Sequence, residues 1–246
     1  MPQAPAAIEP ELRLPPSFAP VRLRERGDAF AHAVSIAAKE GAGTLVHVGR
    51  FDLAEFALVL EPDEPLTRAR LAFYAGMAAL VKALVAYAPP ETLIEISWPD
   101  AVTVNFGLVG GGRLAWPDGV AETEVPPWLV FGGMIRTNLM DMHEPGLNPN
   151  VTSLAQEGFE SIEARDVIES FARRFMVALD GWQETGFAVV AQSYLELMPR
   201  EEGLSRSIAE NGDLLLRRDG KVERRAFLPA LEQAQWYDPQ TKAPRA

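Results

Sequence analysis

The sequence predicts an α+β fold: a mixed sheet flanked by helices, followed by a small C-terminal β appendage. Three observations predict it. Leu71, Tyr74, Met77, Ala78, Val81, Leu84 and Val85 recur at helical spacing, with Arg68, Arg70 and Lys82 off the stripe, which marks one long core helix. Short apolar runs read as strands, and two of them carry adjacent glycines, Gly110-Gly111-Gly112 and Gly132-Gly133. Finally, Leu214-Leu215-Leu216 and Val222 flank Asp219-Gly220, a strong hairpin signal.

Taken in order, residues 1–22 are punctuated by proline and read as an irregular arm. Asp28 is the N-cap of a helix carrying Phe30, Ala33, Val34, Ala37 and Ala38, and Gly41 and Gly43 stop it. Thr44 to Val48 and Glu55 to Leu60 are strands, joined by the tight connection Gly49-Arg50-Phe51-Asp52. Pro62 and Pro65 break the chain, Thr67 opens the long helix, and Pro89-Pro90 ends it. Leu93 to Ser97 leads into the corner Trp98-Pro99-Asp100, and strands follow at Val102 to Val104 and Gly112 to Trp116. The triple glycine between them reads as a turn that needs positive φ, or as backbone left bare for close approach by a ligand. Trp128 to Ile135 is an apolar strand, and residues 141–151 form a loop. Helical spacing returns from Val167 to Leu179 and ends at Asp180-Gly181. Trp182 to Tyr194 forms the last helix, broken at Gly186. The stretch after Leu231 is polar and reads as a loose tail.

With 246 residues and 48% apolar content, the chain can build one large core. Its net charge of −11 argues against nucleic-acid binding, which needs a basic face. It contains no cysteine, which removes disulfides, thiolate metal sites and cysteine nucleophiles. His32, His47 and His143 show no metal-ligand spacing, and no structural metal is expected. No long apolar run suits a membrane span, and the N-terminus lacks the pattern of a secretory signal, so a cytoplasmic protein is the expectation. The small polar group Asp141, His143 and Glu144 reads as a solvated loop.

The order of these elements resembles the biotin/lipoate protein ligase family. Trp98-Pro99-Asp100-Ala101 looks like that family's Trp-Pro-Asn-Asp corner, and Val130-Phe131-Gly132-Gly133-Met134-Ile135 resembles its second glycine strand. Thr152-Ser153-Leu154 precedes the helices as in the family, and Trp182, Gly186-Phe187 and Tyr194 look like its closing helix. Gly203-Leu204-Ser205-Arg206 and the segment Gly212 to Gly220 are similar to the small β domain of the bacterial biotin ligases. The likeness covers residues 28–228 and implies a mixed, largely antiparallel central sheet. It divides the chain into an arm (1–22), a ligase-like domain (23–195), a small β domain (196–232) and a polar tail (233–246). It also implies a small carboxylic acid (biotin, lipoate or octanoate) joined to ATP with magnesium. The acyl group then passes to a lysine of a biotinyl or lipoyl carrier domain. A homodimer is left open.

Two departures matter. Adenylation brings a carboxylate to a phosphate, so fixed positive charge must offset the repulsion. The family supplies it partly from an arginine- and glycine-rich loop, which here shrinks to residues 49–52 with Arg50 alone. It also uses a lysine just before the glycines, and the aligned position holds Leu108; none of Lys39, Lys82, Lys221 and Lys242 is placed to substitute. Arg50, Arg113 and Arg136 are therefore the candidate cations, with Arg50 and Arg113 the only candidates for a catalytic role. Trp98, Asp100, Gly110, Gly111, Gly112, Gly132 and Gly133 are the candidate walls of a ligand pocket. Two functions are expected on this basis: acyl activation and transfer, or a degenerate module that binds a ligand or docks a carrier domain without turnover.

Overall fold

The structure is a computed structural model and describes residues 11–139 and 150–245. The chain runs β1 (Ala19–Leu23), α1 (Ala29–Glu40), β2 (Thr44–Val48), β3 (Leu53–Leu60), α2 (Leu66–Ala69), α3 (Ala72–Val85), β4 (Ile94–Ser97), β5 (Ala101–Val104), β6 (Gly107–Ala115) and β7 (Leu129–Arg136). It continues through α4 (Ala164–Thr185), α5 (Phe187–Leu195), β8 (Ser205–Ile208), β9 (Leu214–Arg218), β10 (Lys221–Arg225), α6 (Phe227–Glu232), β11 (Tyr237–Asp238) and β12 (Ala243–Pro244). Seven strands form the main sheet in the order β1-β2-β3-β7-β6-β5-β4. Only β1 and β2 run parallel; the other neighbours are antiparallel, so the sheet is mixed and largely antiparallel.

β3 and β7 sit at its centre and are apolar without alternation, because helices bury both of their faces. On one face α1 lays Ala29, Ala33 and Ala37 over Val46, Ala57, Val59 and Val130. Its cap is the expected one: the Asp28 side chain accepts from the Ala31 N–H. On the other face α3, α4 and α5 enclose a ring-rich core in which Phe131 stacks on Phe171 at 5.6 Å and Tyr74 meets Tyr194 edge-on at 4.7 Å. α3 lies very close to the sheet, since a Cβ on Gly76 would stand 2.4 Å from the Phe131 ring. Gly76→Ala is therefore expected to destabilise the protein by about 1–2 kcal/mol, because overpacking outweighs the helix propensity gained. A urea midpoint equal to or above wild type would contradict this.

Several elements differ from the sequence reading. Residues 19–22, placed in an irregular arm, form β1 together with Leu23, because the edge of β2 offers them a parallel ladder. The long helix does not open at Thr67 and run through; Leu66–Ala69 is a separate short helix and α3 starts at Ala72. α4 continues through Asp180-Gly181 and ends at Gly186, whose φ of 85° closes it. The triple glycine is not a turn, because Gly110–Gly112 lie within β6, paired to β5 and β7. The group Asp141, His143 and Glu144 lies outside the described residues. Among the described residues, no helix is long and apolar enough to cross a membrane.

The C-terminal part opens with a three-stranded antiparallel sheet, β10-β9-β8, whose β9–β10 hairpin turns at Asp219 and Gly220, both at positive φ (49° and 75°). Asp213 ties this sheet to the start of α6, accepting the Phe227 N–H at 2.9 Å. The remaining segment, read from sequence as a loose polar tail, instead returns to the main sheet. Its Trp236 is 1% exposed and packs with Leu53 and Met134.

Candidate functional site

Alternation along the central strands sorts the candidate residues onto two faces. A Cβ on Gly112 would meet Met77, and one on Gly133 would meet Phe56, so these two glycines face the helical core under α3 and α4. A Cβ on Gly132 would meet Phe30 of α1, and one on Gly111 would stand 2.1 Å from the Asp100 carbonyl oxygen and 2.7 Å from the ring of Trp236. Gly110 faces neither, because its Cβ would fall 1.9 Å from the Met134 carbonyl oxygen. Of the five glycines, Gly111 and Gly132 thus turn toward the face that carries α1 and the C-terminal segment, where the rings of Trp236 and Phe30 lie over them. Trp98 belongs to the opposite side. It packs on the helical core, and its Nε1 donates to the Tyr74 hydroxyl at 3.3 Å.

Asp100 lies buried beside Gly111 and Trp236. Its backbone oxygen accepts the Gly112 N–H at 2.9 Å, which fixes the Trp-Pro corner to β6. Its side chain is 4% exposed, and burial pushes the carboxyl up to about 7, held back in part by the indole of Trp236. The indole thus lies close enough to favour the anion, although neither Asp100 Oδ2 nor Trp236 Nε1 makes a hydrogen bond of good geometry.

The three arginines do not converge as free cations. Arg50 forks onto Asp52 at 3.0 and 2.7 Å and lines a separate cleft of about 660 Å³ with Arg22, His47 and Asn138. Arg113 shares the face with Gly111, but its guanidinium is sandwiched between the rings of Phe30 at 4.2 Å and Tyr237 at 4.3 Å. Arg136 is 8% exposed and donates to four carbonyls, those of Leu108 (3.4 Å), Thr152 (3.2 Å), Pro244 (2.8 Å) and Arg245 (3.1 Å). Desolvation lowers its pKa, with Asp52 opposing that shift. Leu108 packs in the same apolar cluster as Trp236, so the position of the expected lysine presents methyl groups.

Sequence reasoning missed four residues here: Phe30, Glu55, Trp236 and Tyr237. Glu55 is 4% exposed, burial raises its pKa, and its Oε1 accepts the Ala29 N–H at 2.8 Å, which ties the start of α1 to the sheet. A glutamate inside the apolar run Leu53–Leu60 was its signal. Trp236-Tyr237 in an otherwise polar stretch was the signal for the docked segment. Between that segment and the sheet remains a cavity of about 590 Å³ lined by Phe30, Gly112, Arg113, Tyr237 and Arg245. The face therefore combines glycine backbone covered by aromatic rings with a buried carboxyl that is half-protonated near neutral pH. It suits a flat, weakly polar group better than a phosphate.

Residues 14–196, well over half of the chain, match the profile of the Biotin/lipoate A/B protein ligase family. Among solved structures, a biotin protein ligase-like protein of unknown function from Silicibacter sp. TM1040 is similar at 26% identity and a TM-score of 0.74, over 90% of this chain and 99% of that one. The biotin protein ligase of Aquifex aeolicus, solved in complex with biotin and ATP, is similar at 15% identity and a TM-score of 0.62, over 84% of this chain and 94% of that one. The biotin protein ligase of Leishmania major, solved in complex with biotin, is similar at 17% identity and a TM-score of 0.54, over 86% of this chain and 99% of that one. The last two likenesses bear on the fold alone. No curated protein sequence matches the chain.

Proposed function

Because the chain belongs to the biotin/lipoate A/B protein ligase family, we propose that it binds a small carboxylic acid of the biotin, lipoate or octanoate kind on the Gly111–Gly132 face without activating it. One observation carries this reading: each candidate cation is committed elsewhere. Joining an acid to ATP places two anions in contact, and their repulsion must be offset by charge already in position. Leu108 brings none, Arg50 is neutralised by Asp52, Arg113 is stacked between two rings, and Arg136 is spent on four carbonyls. The acid-recognising part of the family's chemistry asks less of the protein. A flat head group needs an aromatic wall, bare backbone at Gly111 and a polar anchor, for which Asp100 is suited.

The test uses the full chain with ATP, magnesium and each acid in turn. The expected result is calorimetric binding of at least one acid, with no pyrophosphate release and no acyl-adenylate. Turnover with any of them would restore the ligase reading. Absence of binding by all three would remove the ligand reading itself.

A further inference from the structure

The C-terminal segment 233–245 lies on the residues that a ligand would need. Trp236 covers Gly111, where even a Cβ would come within 2.7 Å of its ring. Tyr237 closes one side of Arg113, and the carbonyls of Pro244 and Arg245 hold Arg136. Lys242 reaches back to Asp28 at the start of α1, at 3.4 Å. One segment thus occupies the bare backbone, the aromatic slot and two of the three arginines at once.

Its fit is that of a temporary occupant. Two polar groups buried at the contact, Asp100 Oδ2 and Trp236 Nε1, lie near one another, since the indole favours the Asp100 anion, yet neither makes a hydrogen bond of good geometry, and each costs free energy when poorly paired. A cavity of about 590 Å³ stays open between the segment and the sheet. Within the segment the only regular structure is the pair of two-residue strands β11 and β12, closed by a turn on Asp238, and so short a pair is marginal without its neighbours. A side chain kept there for stability alone would be expected to fill the space and pair the polar atoms.

We propose that residues 233–245 are a displaceable intramolecular plug: the segment detaches as a unit while the sheet stays folded, and segment and ligand exclude one another on the Gly111 face. This rests on the ligand reading above for its second half only. Opening exposes Gly111, frees one face of Arg113 and removes two of the four acceptors of Arg136. The plug would then control entry to the site, while Arg113 keeps Phe30 and Arg136 keeps the Leu108 and Thr152 carbonyls.

Hydrogen exchange on the full-length protein tests the first half without any ligand. The amides of Lys242 and Arg245, bonded to the Asp238 and Trp236 carbonyls, are expected to exchange together through a local opening. Their protection should be roughly a hundredfold or more below that of β6 and β7. If they exchange only with global unfolding, the segment is a fixed part of the core and the proposal is overturned. The second half is read by titrating biotin, lipoate and octanoate into wild type, Trp236→Phe and Trp236→Ala, all full length. Trp236→Ala is expected to bind about tenfold more tightly than wild type, with Trp236→Phe close to wild type. Equal or weaker binding by a folded Trp236→Ala protein overturns the plug. Should that variant unfold, added acid must instead lower the protection of residues 236–245 in wild type, and unchanged protection with a bound acid overturns the plug as well. Local opening without binding of any acid to any variant would sink the ligand reading and leave the detachable segment supported.

Discussion

Asp100→Asn is expected to stabilise the protein at pH 8 by up to about 4 kcal/mol while leaving its stability at acid pH nearly unchanged. In the unfolded chain this carboxyl ionises near its ordinary 3.8, and in the folded chain it keeps its proton up to about 7. Between those values the native state holds one proton more than the unfolded state, so stability falls as pH rises. The contribution is complete below about 3.8 and gone above about 7. The cause is burial, against which the surroundings offer little: Trp236 from the C-terminal segment and the residue's own backbone N–H favour the anion, and Tyr194 is a buried neutral phenol. Glu55, also raised by burial, adds a slope of the same sign, whereas Asp52, lowered by Arg50, adds one of opposite sign at lower pH. Both are present in wild type and variant and cancel in the difference. Urea unfolding of the two proteins from pH 4 to pH 8 should give curves that diverge steadily. Parallel curves would mean that the carboxyl ionises normally in the fold.

Gly110→Ala is expected to cost more than about 4 kcal/mol, enough to leave little folded protein. The position is in mid-sheet, opposite Ile135 on β7 and beside the bulge where the β5–β6 register shifts. An added Cβ would meet the Met134 carbonyl oxygen at 1.9 Å and its carbon at 2.9 Å, and both are backbone atoms of a buried strand that cannot swing aside. Relief requires parting β6 from β7, the pair that carries Gly111, Arg113, Gly132 and Arg136. Thermal unfolding followed by circular dichroism is the direct check, and a melting temperature within a few degrees of wild type would show that β6 can move there. The triple glycine therefore answers three separate demands. Gly110 lets β6 approach β7, Gly112 admits Met77 of α3, and Gly111 makes room for the Asp100 carbonyl and the Trp236 ring on the face of the candidate site.

That division explains what was legible in the sequence. Local signals are read from neighbours in the chain, so the Asp28 cap, the apolar stripe of α3, the Asp219-Gly220 hairpin and the Trp-Pro corner all appear where residue type and spacing place them. The order of those signals was enough to point to the family. The expectation that Leu108 stands where the family carries a lysine is likewise counted along the chain from the corner. The helix end at Asp180-Gly181 was misread because glycine's propensity penalty is only about 1 kcal/mol, which the packing of α4 against α3 and α5 outweighs. β1 escaped because Ala19–Leu23 has no alternating pattern of its own and is defined by hydrogen bonds to β2, beyond α1 in sequence.

The sequence by itself determined the class of fold, the family and the poverty of charge around the glycines, because periodicity, turn chemistry and counted positions are properties of the chain. Tertiary structure alone decided which glycines share a face, that Arg50 turns to Asp52, and that Trp236 lies on Gly111. Each of these depends on which strand or segment comes to lie beside which, and a contact across 125 residues has no period to reveal it.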